Sequence, residues 1–271
     1  MSNQKNALLI IDAQNDFCDP KGALCVPNAN LDMQRVAKMI TDNIDKIDYI
    51  SMTQDTHHPL HVAHPAFWLD ENGNIPNGYD FNQVTAADVK TGKWKPQLAQ
   101  RQVLEYLEQL EANGEFCHTI WPEHCLSGTW GHGFVPDVIE AAYAWERQNK
   151  KTVNIVQKGE HPLREHFGIF RANVPLLNVA STQLNSALLN TFGNYERVFL
   201  MGQAKSHCVA NSLRQICQDA STLCPKLFIV TDAMSDVPGL PAGFYDQVNK
   251  IYSDAKVMGV RECTTTNMAW V

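Results

Sequence analysis

The chain has 271 residues and a formal net charge of −7, from 29 acidic and 22 basic side chains. With 44% hydrophobic and 19% charged residues, its composition is ordinary for a globular protein and excludes general disorder. No basic block indicates binding to nucleic acid or to a membrane surface, and no apolar run approaches the ~18 residues of a membrane span.

Short apolar runs alternate with longer amphipathic segments along the chain. The short runs predict five buried strands, at 7–11, 49–53, 152–156, 197–201 and 226–230. The amphipathic segments predict helices at 31–44, 136–148, 182–192, 209–220 and 243–253. This alternation predicts an α/β fold, with an open and mostly parallel sheet that is covered by helices on both faces.

The first apolar stretch and the cysteines indicate the compartment. The stretch, residues 7–11, is five residues long and is followed by Asp12; it is too short for a secretory signal and favours a first strand. Eight cysteines are scattered along the chain without a CxxC pair, so a disulfide framework or a thiolate zinc site is not expected. We therefore expect a cytoplasmic protein whose cysteines are mostly inert core thiols.

One stretch interrupts the alternation. Residues 65–95 are rich in Gly, Asn, Pro and Asp, and an amphipathic helix is predicted for 96–112. A segment of this kind is typical of a lid, an insertion or an oligomer contact. We predict a single domain over 1–271, with an insertion at about 65–118 near the mouth of the active site, and a homo-oligomer.

Reactive side chains follow the predicted strands. In open α/β sheets, ligands bind beyond the carboxyl ends of the strands, where Asp12, Asp55, Lys158 and Cys208 are expected to converge. A thiol at a helix N-terminus near a lysine is expected to have a lowered pKa, which favours Cys208 as a nucleophile. Backbone N–H groups from Ala204 to Cys208 would form an oxyanion hole. The alternative is that Cys208 is a buried structural cysteine.

A second group of residues indicates a metal site. Asp55, His57 and His61 leave the second strand within seven residues, and His124 follows later in WPEHC. Neutral imidazoles and a carboxylate suit Zn²⁺, Fe²⁺ or Mn²⁺, and zinc is the expected ion. His58 and His64 are expected to be spare, and Cys125 is a weaker candidate. The alternative is a solvated, histidine-rich loop.

Several motifs together resemble the isochorismatase-like cysteine hydrolases, and within them the nicotinamidases. They are LIIDAQNDF near the start, TQDTHHPLH at the second strand, WPEHCLSGTWG, VQKG, and MGQAKSHCVANS followed by FIVTDAMSD. These blocks run in family order over roughly 7–61, 119–172 and 195–268. The resemblance implies an isochorismatase-like, Rossmann-type fold of three layers and an amidase activity that depends on one divalent metal ion.

The resemblance also implies roles for matching positions. They are a catalytic triad of Asp12, Lys158 and Cys208; metal ligands Asp55, His57, His61 and His124; an oxyanion hole at the N–H groups of Ala204 and Cys208; substrate-binding aromatic residues Phe17 and Trp121; and a cis peptide at Gln203–Ala204. Two features depart from the family pattern. Lys205-Ser206 replaces the usual Thr-Asp, and the gap between His61 and His124 is several times the usual length.

The expected reaction is hydrolysis of nicotinamide, or of a similar small aromatic carboxamide, to the acid and ammonia through a thioester on Cys208. A related cysteine hydrolase would act on another small amide or carbamoyl compound. Isochorismatase itself is disfavoured because its vinyl-ether hydrolysis needs no thiol. A non-catalytic ligand-binding protein of the same fold is a third alternative, although such a protein has no need of a nucleophile.

Overall fold

The computed structural model describes residues 5–270, which form ten strands and eight α-helices. The strands are β1 (Asn6–Ile11), β2 (Tyr49–Asp55), β3 (Trp68–Asp70), β4 (Gln83–Val84), β5 (Trp94–Pro96), β6 (His118–Thr119), β7 (Asn154–Lys158), β8 (Arg197–Gly202), β9 (Leu227–Val230) and β10 (Arg261–Cys263). The helices are α1 (Asn15–Cys18), α2 (Ala29–Asp42), α3 (Ala86–Thr91), α4 (Gln100–Ala112), α5 (Pro136–Asn149), α6 (Ser186–Gly193), α7 (Ala210–Asp219) and α8 (Ala242–Val257). No helix within residues 5–270 is long and apolar enough to cross a bilayer.

Six strands form one parallel sheet in the order β10-β9-β8-β1-β2-β7. β1 lies near the centre, and every residue of its sequence NALLII is buried. Such an uninterrupted apolar strand is what a sheet covered on both faces requires. Helices α2 and α5 pack on each other, as do α7 and α8. The predicted α/β fold is confirmed.

The five predicted strands all form, and their ends differ by at most two residues from the predicted ranges. The sixth strand of the sheet, β10, was missed. It is three residues long, and its side chains are exposed or half-buried at the sheet edge. A strand without buried side chains lacks the apolar run from which strands are predicted.

The segment 65–118 contains more regular structure than its composition indicated. It forms a small body with its own hydrophobic cluster, which is built around Trp68, Tyr106, Leu107 and Leu110 and is separate from the main core. Helix α4 begins at Gln100 rather than at 96, because Pro96 ends β5 and Ala99 has a left-handed φ of 49°. Between 65 and 95 the chain also forms β3, β4 and α3, which were expected to be a loop.

Candidate active site

The carboxyl ends of four adjacent strands meet at one edge of the sheet. β8, β1, β2 and β7 lie side by side in this order. Asp12 follows β1 directly, Asp55 and Lys158 are the last residues of β2 and β7, and Cys208 lies in the turn after β8. All four side chains are buried. The structure therefore brings together the four reactive residues that the strand pattern places at this edge.

The Lys158 ammonium group lies at the centre of these residues. Its Nζ atom is 3.0 Å from Asp12 Oδ2, 2.9 Å from Asp55 Oδ1 and 3.6 Å from Cys208 Sγ. Burial alone would lower the pKa of Lys158, but the two carboxylates raise it well above its ordinary value. Lys158 is therefore a permanent cation that holds two carboxylates and a thiol within reach of one another.

The two carboxyl groups beside Lys158 have opposite pKa shifts. Burial raises the pKa of Asp12, although the Lys158 charge opposes the shift. Burial also disfavours the charged form of Asp55, but His57 and Lys158 hold the pKa of Asp55 well below its ordinary value. Thr53 Oγ1 orients Asp12 by donating to its Oδ1 at 2.5 Å and accepting its backbone N–H at 2.9 Å. Asp12 is thus the more basic carboxylate, and Asp55 is a fixed anion.

Cys208 lies in a single wide helical turn, Lys205–Val209, that precedes α7. Such π-type turns are frequent at functional sites. The expectation of a lowered thiol pKa was wrong. Burial raises the pKa of Cys208 well above its ordinary value, Lys158 only partly opposes this, and the negative charges of Asp12 and Asp55 add to it. The resting group is therefore a thiol, and Lys158 holds the Asp12 carboxylate beside it.

The backbone before Cys208 contains the cis peptide that the family resemblance implied. The Gln203–Ala204 peptide bond is cis. Within the described residues the Ala204 N–H donates no hydrogen bond, whereas the N–H groups of Lys205 and His207 donate to the carbonyls of Ser235 and Ala204. An unpaired N–H beside the thiol is free to bind an oxyanion.

A narrow cavity of about 30 Å³ opens at the Cys208 thiol. Its wall includes both predicted aromatic residues, Phe17 and Trp121, and also three residues that the sequence analysis had not identified: Glu165, Phe167 and His207. The cavity holds only about one water molecule, so an aromatic ring would have to displace side chains in order to enter.

His207 directly precedes Cys208 and is surrounded by aromatic rings. Its ring stacks on Phe244 at a centroid distance of 4.8 Å and meets Trp121 edge-on at 5.1 Å. Burial lowers the pKa of His207 to about 3, so the ring is neutral at pH 7. In the sequence, only the position of His207 next to Cys208 indicated that it belongs to the site. Phe167 and Glu165 lie in the irregular segment after β7, where no pattern distinguishes them.

Three buried histidines form a cluster on the other side of Asp55. The ring nitrogens of His57, His64 and His124 lie within 4.8 Å of one another. Asp55 Oδ2 is 3.1 Å from His57 Nε2 and 3.7 Å from His124 Nε2. Burial and the neighbouring His124 lower the pKa of His64 well below its ordinary value, so its ring is neutral, and its Nε2 faces His124 Nδ1 at 3.3 Å. This donor set suits a borderline divalent cation.

This cluster differs from the predicted ligand set at one position. His61 is adjacent, with its ring 4.3 Å from that of His57, but its nitrogens contact backbone groups outside the cluster, whereas His64 Nε2 faces His124 Nδ1 at 3.3 Å. Nδ1 accepts the Ala63 N–H at 3.1 Å, and Nε2 contacts the Arg164 carbonyl at 3.2 Å. His64, which was expected to be spare, lies inside the cluster, and His58 is exposed. In this conformation the site therefore contains His64 where the sequence predicted His61.

No protein-family model matches the chain. Two curated proteins are similar to it, and both are nicotinamidases. The nicotinamidase of Saccharomyces cerevisiae is 23% identical over 203 residues, covering 74% of this chain and 76% of the yeast protein. The nicotinamidase of Escherichia coli is 24% identical over 231 residues, covering 85% of this chain and 83% of its own.

Solved structures show the same fold. A nicotinamidase and pyrazinamidase from Acinetobacter baumanii superposes with a TM-score of 0.64 at 20% identity, covering 98% of this chain and 99% of its own. A pyrazinamidase from Pyrococcus horikoshii in complex with zinc superposes with a TM-score of 0.55 at 18% identity, covering 96% and 99%. The similarity that the motifs predicted is therefore confirmed: the chain has the α/β fold of these structures and is similar in sequence to nicotinamidases.

Proposed function

We propose that the chain is a metal-dependent cysteine amidohydrolase that converts nicotinamide, or a similar small aromatic carboxamide, to the acid and ammonia. The observation that carries this proposal is the contact of Lys158 with Asp12, Asp55 and Cys208 at the end of an aromatic-lined cavity. A binding protein needs no buried thiol with a base beside it. The similarity to two curated nicotinamidases supports nicotinamide as the first substrate to test.

The pKa directions assign the proton transfers. Because the Cys208 thiol is protonated at rest and lies with the Asp12 carboxylate against the Lys158 ammonium group, Asp12 accepts its proton as the sulfur attacks the amide carbon. The N–H groups of Ala204 and Cys208 stabilise the oxyanion. Asp12 then delivers the proton to the leaving nitrogen, and ammonia departs from the thioester. Water, deprotonated by Asp12, hydrolyses the thioester and restores the thiol and the acid product.

The proposed metal site is formed by Asp55, His57, His64 and His124. The ring nitrogens of the three histidines lie within 4.8 Å of one another, and Asp55 Oδ2 lies 3.1 Å from His57 Nε2; such a set would suit one zinc ion, which prefers imidazole and carboxylate ligands. When bound, the cation supplies positive charge that binds and orients the substrate ring rather than generating the nucleophile. The His57 Nδ1 atom contacts the Gly159 carbonyl at 3.0 Å, which leaves Nε2 for the metal.

Zinc-binding measurements on His64→Ala and His61→Ala will distinguish the two candidate ligand sets. We expect His64→Ala to weaken zinc affinity by about tenfold or more, because it removes a donor from the cluster, and His61→Ala to weaken it less. Isothermal titration of the metal-free protein with zinc measures both affinities without reference to turnover. His58→Ala is the matched control, since His58 is exposed. The opposite order of the two effects would support His61 as the ligand.

Two substitutions of Cys208 test whether this residue is the nucleophile. We expect Cys208→Ala to reduce ammonia release from nicotinamide to background, because no thioester forms. Cys208→Ser should fold equally well and be strongly impaired, since Asp12 is a weak base for a hydroxyl. Acid-quenched wild-type protein should carry an acyl adduct on Cys208 in mass spectrometry. Substantial turnover by Cys208→Ala, with any amide in a panel of aromatic and carbamoyl compounds, would disprove the proposal.

The pH dependence follows from the shifted pKa values. Asp12 must be ionised in order to accept the thiol proton, and its pKa is raised, so kcat/KM should fall as the pH decreases through a value above 3.8. Above that limb we expect a plateau through pH 8, because Cys208 remains a thiol and Lys158 a cation. Circular dichroism over the same range controls for unfolding. A sigmoidal increase in kcat/KM near pH 8 would instead indicate attack by a free thiolate.

We further propose that the insertion 65–118 packs against the outer side of the residues that line the cavity at Cys208, and that it does not cover the mouth of this cavity. None of its residues lines the cavity at Cys208. Its Phe81 ring lies 5.2 Å from Trp121, and its Phe116 ring lies 6.0 Å from His207 and 6.5 Å from Phe167. The insertion therefore contacts the aromatic rings against which a substrate would pack.

A substitution of Phe116 tests this role. We expect Phe116→Leu to raise KM for nicotinamide about 2- to 10-fold with little change in kcat, because it removes aromatic contacts that position His207 and Phe167. Leu110→Val is the control, since it perturbs the core of the insertion without touching the cavity wall. Equal effects of the two variants on KM would show that only the stability of the insertion matters.

A further inference from the structure

A second cavity, of about 260 Å³, lies beside the segment that follows β7. Residues from 156 to 172 and from 180 to 185 line it, and none of them except Lys158 belongs to the proposed catalytic and metal-binding set. The ammonium group of Lys158 is occupied by Asp12 and Asp55. The cavity is therefore distinct from the one at Cys208, although both share the segment 158–167 as a wall.

Arg164 is the unusual residue in this wall. It is only 5% exposed, and no carboxylate of the described residues forms an ion pair with its guanidinium group; the nearby Glu105 acts on it electrostatically but already pairs with Arg101 at 2.8 Å. Its Nη1 donates to the adjacent Leu163 carbonyl at 2.7 Å, and its Nε is buried without any partner. The guanidinium packs on the Tyr106 ring at 5.1 Å. A guanidinium has five N–H donors, so most of those of Arg164 are unused.

A buried charge without a counter-charge is costly, and buried arginines are normally paired. The other polar groups of the wall do not supply a counter-charge. His166 Nε2 is also buried without a partner, and burial lowers the pKa of His166 to about 3. Burial and the nearby Arg164 lower the pKa of His161. Glu160 is the one acidic side chain in the wall, and it is exposed.

We propose that this cavity binds a small anion, a carboxylate or a phosphate, through the guanidinium of Arg164. The planar fork of arginine matches both anions with paired N–H donors, and the unpartnered His166 ring nitrogen offers one further polar contact. The volume suits a single-ring carboxylate or a phosphate group rather than a nucleotide, since larger ligand sites measure roughly 300–1,000 Å³.

An anion at Arg164 would also hold the segment that shapes the active site. The Arg164 carbonyl contacts His61 Nε2 at 3.2 Å, and the Gly159 carbonyl contacts His57 Nδ1 at 3.0 Å. Glu165 and Phe167 lie in the wall of the catalytic cavity. An anion bound at Arg164 would therefore stabilise the conformation of residues 159–167, which contact the histidine cluster and line the cavity at Cys208.

Calorimetric titration of the full chain with inorganic phosphate, benzoate and neutral benzamide tests the site. We expect saturable binding of at least one anion and none of benzamide at this site. Arg164→Gln should weaken anion binding by about tenfold or more, and Arg164→Lys, which keeps the charge, by less. Arg171→Gln is the matched control, because Arg171 lies on the same segment and is already paired with Asp219 at 3.0 Å.

Trp121→Ala separates this cavity from the catalytic one. We expect it to leave anion binding at Arg164 unchanged, because Trp121 lines only the cavity at Cys208. Loss of anion binding in Trp121→Ala but not in Arg164→Gln would place the anion in the catalytic cavity and overturn the proposal. Absence of binding by wild type up to millimolar concentrations, or equal weakening by Arg171→Gln, would overturn it too. None of these outcomes depends on amide hydrolysis.

Discussion

The site depends on one buried cation between two buried carboxylates. Asp12 and Asp55 end adjacent strands of a parallel sheet, and without Lys158 their charges would repel each other in a medium of low dielectric constant. Removing one partner of such a buried pair typically costs about 3–5 kcal/mol. Lys158 therefore links the proposed base to the proposed metal ligand, and the strand order β1-β2-β7 brings all three side chains within contact distance.

The same arrangement explains why the thiol pKa differs from the sequence-based expectation. A helix N-terminus and a neighbouring lysine lower a thiol pKa when the cysteine is accessible to solvent. Cys208 is 5% exposed, and its lysine is already shared with two carboxylates. Desolvation therefore outweighs the remaining positive charge. This makes a base necessary, and Asp12 has both the raised pKa and the position beside Lys158 and the thiol that such a base requires.

The sheet and the residues at its edge could be predicted because local pattern determines both. A buried parallel strand requires an apolar run, and ligands bind where such runs end, so Asp12, Asp55, Lys158 and Cys208 were accessible from the sequence. His64, Phe167 and Arg164 were not, because each lies in irregular backbone whose path depends on tertiary contacts. A turn from His61 to His64, closed by a backbone hydrogen bond of 2.9 Å, decides which ring enters the cluster.

The irregular segment after β7 contains several of the site features that could not be predicted from the sequence. Its carbonyls contact two histidines beside Asp55, its Glu165 and Phe167 line the catalytic cavity, and its Arg164 side chain lies in the wall of the second cavity. Gly159 begins it at a φ of 82°, where a Cβ atom would lie 2.7 Å from Asp55 Oδ1. The segment can therefore approach the histidine cluster only with glycine at that position, and its further path, rather than the sheet, determines the shape of the site.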